Sequence, residues 1–136
     1  MLENIHHFQG CFHVKHLPKS RKLDLPASYI FYSQSHWTGC LLVDQSTCLY
    51  FDSFAQGILD PEIVSFLSSF SFHHVKCNKL KIQDDESKLC GLYVTIFVAV
   101  VDSIESFKQF LMLFYHEEDH LFLNDKICFT LINLLK

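Results

Sequence analysis

The first half of the chain alternates short apolar runs with short polar turns. Residues 27–33, 36–43 and 47–51 are rich in β-branched and aromatic side chains, which is typical of strands. The polar segments 33–35 and 44–46 separate these runs, and connections this short join antiparallel neighbours. The pattern therefore predicts an antiparallel meander of three strands.

Weaker strand patterns flank this meander. Residues 5–14 are aromatic and histidine-rich, and they predict a short edge strand beyond Gly10. Residues 72–75 and 80–83 contain short apolar runs that predict one or two further strands. These segments would extend the meander into a small, largely antiparallel sheet.

Helices are predicted where a capping residue precedes apolar residues at helical spacing. Asp60 and Pro61 have the order of an N-cap and a first helical residue, and Asn124 would cap a last helix. Residues 103–115 have an apolar stripe of their own. Each of these helices also has a polar face, so each would pack on the sheet with one side.

The apolar segment 89–101 differs from these helices because it has no charged residue in thirteen positions. A bilayer span needs about 20 apolar residues, so we expect no membrane helix here. A helix that is apolar on every face is buried in the centre of a domain. We therefore expect one α+β domain over residues 1–136, with a small sheet packed against helices and this helix at its centre.

Composition narrows the class of protein further. Hydrophobic residues make up 49% of the 136 residues and charged residues 19%, which predicts a sizeable core and argues against disorder. The net charge of −4 argues against general binding to nucleic acid. The first ten residues lack the charged-then-apolar pattern of a signal peptide. Six cysteines without a CxxC pair then predict free thiols in a reducing, intracellular compartment.

Cys90 stands at the N-terminus of the predicted central helix, directly before Gly91. Unpaired backbone N–H groups and the dipole at a helix start favour a negative charge, and the thiolate is the nucleophilic form of cysteine. Gly91 places no side chain beside the sulfur and lets other backbone approach. The other interpretation is a buried structural cysteine, the commoner role of cysteine in a core. The partners of Cys90 decide between the two.

Three residues are candidates for the partners that a thiol nucleophile needs. His36, at the head of the second strand, can accept the thiol proton near neutral pH. Asp52, sixteen residues later at the tail of the third strand, would lie beside it in an antiparallel pair and could orient its ring. Gln83, seven residues before Cys90, can donate with the Cys90 backbone N–H to an oxyanion. Each residue alone has an ordinary structural interpretation, and it is their joint occurrence that predicts a catalytic site.

Several short motifs occur in an order that matches a known group of proteases. The order is His36-Trp37, then YFDSF at residues 50–54, then Gln83 seven residues before Cys90-Gly91. This order resembles the clan CE cysteine proteases, which include the adenovirus protease (adenain) family and the proteases that process SUMO and similar modifiers. The resemblance covers residues 8–102 and is closer to adenain in length and loop pattern. It implies a papain-like site in permuted order, because in papain the Gln and the Cys come first.

The resemblance implies a role for each of the four candidate residues. Cys90 would be the nucleophile, at the N-terminus of the buried helix, and His36 would be its base. Asp52 would orient that base, and Gln83 would donate a hydrogen bond to the oxyanion.

Substrate binding is implied for Trp37, which would roof a narrow channel that admits glycine, and for Gly91 beside the sulfur. The chain also departs from its relatives, because adenain has Glu where this chain has Asp52, whereas the SUMO proteases have Asp. A single tryptophan and a shorter chain imply that the parts that bind substrate at the periphery are reduced.

The resemblance also implies a function. It predicts a viral or mobile-element endopeptidase that hydrolyses peptide bonds after small residues, glycine above all, in protein precursors such as viral structural proteins. The chemistry requires no cofactor, an activating peptide is a further partner by analogy with adenain, and the acidic charge argues against dependence on DNA. The host nucleus or cytoplasm, or the virion, is the expected location. Two alternatives stay open: an isopeptidase for ubiquitin-like modifiers, and a non-enzymatic binding module.

Two other groups of residues contain metal-ligand types. Residues 116–120 spell HEEDH, in which His116 and His120 would share a zinc ion on a helix and Glu117 would act as base. The charged residues between them argue against this zinc protease alternative and favour a solvated connection between helices. The second group consists of His73, His74 and Cys77. It lacks the further pair of ligands that a tetrahedral site needs, so no metal is expected.

Overall fold

Five strands form one sheet, and their order across the sheet follows their order along the chain. The structure, a computed structural model, describes residues 2, 5–19, 23–70, 72 and 74–136. The strands are β1 (Phe8–His13), β2 (Ala27–Ser33), β3 (His36–Leu42), β4 (Thr47–Phe51) and β5 (His74–Cys77). The predicted meander is confirmed, since β3 pairs antiparallel with both β2 and β4.

The two edge strands make the sheet mixed. β1 pairs parallel with β2, and β5 pairs parallel with β4. The expectation of a largely antiparallel sheet therefore holds for its centre and not for its edges. The reason lies in the connections, because residues 14–26 and 52–73 are long enough to return the chain to the end at which a parallel neighbour starts.

Helices cover both faces of this sheet. The α-helices of the described residues are α1 (Pro61–Ser68), α2 (Cys90–Val100), α3 (Ile104–Met112) and α4 (Asn124–Leu135), with 3₁₀ helices at Val14–His16 and Glu118–Leu123. α1 packs on one face, and the other three α-helices share a core with the opposite face. Strands buried on both faces read as near-continuous apolar runs, which explains the pattern of residues 27–51. The predicted α+β class is confirmed.

The central helix α2 lies against β3 at a position that glycine must occupy. A Cβ atom on Gly39 would stand 2.6 Å from Cγ2 of Val94 and 3.3 Å from the backbone oxygen of Tyr29. Non-bonded carbon atoms pack at roughly 3.5–4.0 Å, so no larger residue fits without movement. This close approach fixes α2 relative to the strand that begins with His36. In the described part of the chain, no helix has the length and apolar composition needed to span a membrane.

The predicted strand at residues 80–83 is wrong. The backbone N–H groups of Ile82 and Gln83 both donate to the backbone oxygen of Ser53, at 2.9 and 3.1 Å, and the segment forms no ladder. The edge of β4 that such a strand would need is already paired with β5. The other predicted strand, 72–75, overlaps β5, although His73 lies outside the described residues.

Asn124 does not cap α4, contrary to the prediction. A 3₁₀ helix runs directly into α4, so Leu123 takes the cap position and there is no free helix start. The Asn124 side chain is instead fully buried. Its Nδ2 donates to the backbone oxygens of Ile82 and Tyr115 at 2.7 and 2.9 Å, and its Oδ1 accepts from the Tyr115 N–H at 2.9 Å. The residue therefore connects distant segments.

Candidate active site

His36 and Asp52 meet at one end of the sheet. His36 is the first residue of β3, and Asp52 directly follows β4. The antiparallel pairing of Gly39 with Phe51 brings these two strand ends side by side, as predicted. Nε2 of His36 lies 2.7 Å from Oδ1 of Asp52, which is 2% exposed. A carboxylate at this distance can fix the orientation and the tautomer of the ring.

The backbone around Asp52 holds its carboxylate in place. The N–H of Phe54 donates to Oδ1 at 2.9 Å, and the N–H of Gln56 donates to Oδ2 at 3.3 Å. The buried Asn78 amide accepts from the Asp52 N–H at 3.0 Å and donates to the Asp52 backbone oxygen at 2.7 Å. Sequence reasoning missed Asn78, and its position directly after an edge strand is the one local signal that it gives.

Cys90 is the first residue of α2 and contacts the histidine. It is 7% exposed, and its thiol lies close enough to His36 for the two groups to shift each other's pKa. Because Nε2 of the ring contacts Asp52, Nδ1 is the nitrogen left for the sulfur. The backbone N–H groups of Trp37 and Gly91 lie near the sulfur and help to lower the pKa of Cys90. The structure thus brings Asp52, His36 and Cys90 together, and His36 interacts with both of the other residues.

The pKa values of His36 and Cys90 shift in opposite directions. Burial lowers the pKa of His36, but the hydrogen bonds and charges of Asp52 and Cys90 outweigh burial and raise it to about 9. Burial raises the pKa of Cys90, but the hydrogen bond with His36, the backbone N–H groups and the His36 charge together lower it below its ordinary value. A base with a raised pKa beside a thiol with a lowered pKa favours a thiolate–imidazolium pair.

Cys90 differs in this respect from four other cysteines. Burial raises the pKa values of Cys11, Cys40, Cys77 and Cys128, and no histidine contributes to those shifts. All six cysteines of the chain are free thiols, as predicted. The environment of Cys90 is therefore that of a reactive thiol, whereas the environments of these four favour the protonated form.

Gln83 is fully buried and lines the same cavity as the three residues above. Its Oε1 accepts from Oγ of Ser53 at 2.5 Å. Its Nε2 donates to the backbone oxygen and to Oγ of Ser87, both at 3.1 Å. Two serines thus fix the orientation of the amide, with its nitrogen toward the residue that lies three positions before Cys90.

Two cavities open beside Cys90, and Lys88 lines both. The first has a volume of about 690 Å³ and is walled by the candidate catalytic residues and by side chains of the loop 54–60. The second has a volume of about 480 Å³, is lined largely by apolar side chains, and includes Trp37 and Gly91. A Cβ atom on Gly91 would lie 3.7 Å from the Trp37 ring, so these two predicted substrate-binding residues face each other closely.

The structure bears on the first of the two alternative metal groups. His116 and Glu117 lie outside any helix and His120 lies in a 3₁₀ helix, so the helical zinc site of the HEEDH segment is not formed. His73 of the second group lies outside the described residues. Elsewhere, in residues 2, 5–19, 23–70, 72 and 74–136, no three His, Cys, Asp or Glu side chains are arranged to hold a metal ion.

Neither a protein-family model nor a curated protein matches this chain. The likeness to the clan CE cysteine proteases consequently rests on the order of the motifs in the sequence. The case for a function rests on the chemistry of His36, Asp52 and Cys90.

Proposed function

We propose that this protein is a cysteine endopeptidase that hydrolyses peptide bonds after small residues, glycine above all, in protein precursors. One observation carries the proposal: Nε2 of His36 lies 2.7 Å from Asp52, and the same ring is so close to Cys90 that each group shifts the pKa of the other. A nucleophile, a base and an orienting acid in contact are the signature of covalent catalysis. The raised pKa of His36 and the lowered pKa of Cys90 support the same assignment.

The proposed reaction proceeds through a thioester. The Cys90 thiolate attacks the carbonyl carbon of the scissile bond, and the carbonyl oxygen becomes an oxyanion that accepts from the Cys90 N–H and the Gln83 amide. The His36 imidazolium gives its proton to the departing amine, and the acyl group remains on sulfur. His36 then takes a proton from water, which attacks the thioester, releases the acid and restores the thiolate–imidazolium pair.

The preference for a small residue is supported by the surroundings of Gly91. The Trp37 ring lies so close to Gly91 that even a Cβ atom there would be in van der Waals contact with it. We infer that the space left for substrate beside this contact is narrow, which suits a segment without side chains. The proposed chemistry uses protein groups alone, and an activating peptide is the one further component that the resemblance adds.

A peptide probe ending in Gly-Gly-vinyl sulfone tests the proposal. We expect the probe to label Cys90 alone, located by mass spectrometry, and a matching Gly-containing peptide to be cleaved after glycine. The same Gly-Gly sequence joined to a lysine side chain measures the isopeptidase alternative in parallel.

Two cysteine variants control this experiment. Cys90→Ala should abolish both labelling and cleavage, whereas Cys77→Ala, at a partly buried thiol of β5 that lines neither cavity, should change neither. Cleavage that survives Cys90→Ala, or a probe that reacts with Cys77 and spares Cys90, would refute the proposal.

A further inference from the structure

A chain of hydrogen bonds connects Gln83 to the last helix of the fold. Nε2 of Gln83 donates to Oγ of Ser87 at 3.1 Å, and Ser87 Oγ donates to Oδ1 of Asp125, on α4, at 2.9 Å. The hydroxyl of Tyr93, on α2, donates to the same Oδ1 at 2.8 Å. Ser87 and Asp125 are 38 residues apart in sequence, so only the folded molecule brings them together.

The carboxylate sets the direction of the bonds in this chain. A carboxylate only accepts, so the Ser87 hydroxyl must donate to Asp125. The Ser87 oxygen then offers only lone pairs to Gln83, which must present its NH₂ group rather than its carbonyl oxygen. From the opposite side, Ser53 donates to Oε1 of the same amide. The acid on α4 and the backbone oxygen of Ser87, which can only accept, therefore both require the NH₂ group of Gln83 on this side.

We propose that Ser87 and Asp125 are positioning residues: they hold the NH₂ group of Gln83 toward the cavity that Ser87 also lines, where one of its two N–H groups passes from Ser87 to the oxyanion. This inference rests on the proposed function, because an oxyanion arises only when Cys90 attacks a carbonyl group. Ser87 lines the cavity of the candidate catalytic residues, and Asp125 does not. Both act through Gln83, and α4 thereby supports catalysis from outside the cavity.

The expected effect is smaller than the loss of the donor itself. Removing one oxyanion donor lowers kcat by about 10²- to 10³-fold. The backbone oxygen of Ser87 also accepts from Gln83 Nε2 and remains after the hydroxyl is removed. We therefore expect kcat/KM to fall by about 10-fold in Ser87→Ala and in Asp125→Asn, less than for a lost donor. Ser87→Thr keeps the hydroxyl and should stay close to wild type.

The decisive experiment compares two reagents at the same sulfur. A Gly-Gly peptide aldehyde forms a thiohemiacetal whose oxygen occupies the oxyanion position, whereas iodoacetamide alkylates the sulfur without forming an oxyanion. The aldehyde should bind about 10-fold more weakly to Ser87→Ala and Asp125→Asn, as expected for partial loss of an oxyanion donor. The rate of alkylation and its pH profile should remain those of wild type.

Two further variants separate positioning from folding. Tyr93→Phe removes the other hydrogen bond of the same carboxylate without touching Ser87, so it should alter folding stability and leave the aldehyde affinity unchanged. In a Gln83→Ala background, Asp125→Asn should have no additional effect on the aldehyde, because the proposed action passes through that amide.

Three outcomes would contradict the inference. Equal aldehyde affinity in folded Ser87→Ala and wild type would overturn the positioning role and leave the protease proposal intact. An alkylation rate that falls as much as the aldehyde affinity would mean that these residues act on Cys90 itself, and the inference would be wrong. A wild-type protein whose Cys90 does not take up the aldehyde would refute the protease function and the positioning role together.

Discussion

At the residue scale, the interaction of Cys90 with His36 depends on Asp52, the buried acid that contacts Nε2 of the His36 ring. Asp52→Asn keeps the shape of Asp52 but removes its charge, so the pKa of His36 should fall from about 9 toward its ordinary value. We expect kcat/KM to fall by roughly 10- to 1,000-fold, less than the ~10⁴-fold cost in a serine triad, because a thiol ionises more easily. His36→Ala removes the proton acceptor and should cost more.

The pH profile of kcat/KM measures this effect. The proposed activity requires Cys90 deprotonated and His36 protonated, so kcat/KM should rise as pH passes the lowered pKa of Cys90 and fall as pH passes about 9. In Asp52→Asn the alkaline limb should move to lower pH. Asp24→Asn, at an exposed aspartate, is the matched control and should leave both limbs in place. If the alkaline limb of Asp52→Asn stayed at the wild-type pH, another group would be keeping the proton on His36.

The relative reactivity of the cysteines is a second prediction at this scale. Iodoacetamide reacts with thiolates, so near neutral pH it should alkylate the 7% exposed Cys90 before the exposed Cys11. The physical reason is that His36 lowers the pKa of Cys90, whereas burial of part of Cys11 raises its pKa. Mass spectrometry after timed quenching gives both rates. The advantage of Cys90 should vanish in His36→Ala, and faster alkylation of Cys11 in wild type would contradict the thiolate–imidazolium pair.

At the element scale, the site depends on how closely α2 lies against β3. Gly39→Ala would place a Cβ atom 2.6 Å from Cγ2 of Val94, whose branched side chain has little freedom to turn in a helix. Overpacking of this kind lowers the free energy of unfolding by about 1–3 kcal/mol, and we expect a loss in that range. Because β3 begins with His36 and α2 begins with Cys90, kcat/KM should fall as well.

The matched variant for this prediction is Val94→Ala, which removes the methyl group that Gly39→Ala would strike. The double variant should therefore be more stable than the sum of the two single losses predicts. Urea unfolding measures the stability of each variant. Measured at urea concentrations far below the unfolding midpoint, kcat/KM reports on the site without a contribution from unfolded protein. Losses that simply add would show that this contact does not set the distance between α2 and β3.

At the scale of the whole molecule, the candidate site lies where the sheet meets a helical layer. The sheet contributes His36 and Asp52, and α2 contributes Cys90. The sequence could predict this meeting because each residue stands at the end of an element with a local pattern. His36 starts an apolar run directly after a short polar turn, and Asp52 directly follows another apolar run. Cys90 stands at the start of an uncharged helix.

The features that could not be predicted depend on partners far along the chain. Residues 80–83 have the apolar pattern of a strand, yet the backbone N–H groups of Ile82 and Gln83 bond to Ser53. Asn78 is an ordinary loop residue by sequence, and its role arises only from its bonds to the backbone of Asp52. Tertiary contacts of this kind override local propensity, and no spacing in the sequence encodes them.

The side chain of Asn124 joins parts of the fold that are distant in sequence. Asn124→Ala would leave the backbone oxygens of Ile82 and Tyr115 and the N–H of Tyr115 without this partner. Each unsatisfied buried group costs about 1–3 kcal/mol, so we expect the free energy of unfolding in urea to fall by about 2–4 kcal/mol. Asn133→Ala, at an exposed position on the same helix, should change it by less than about 0.5 kcal/mol. Equal stability of the two variants would show that these bonds do not hold the segment before Cys90 against the helical layer.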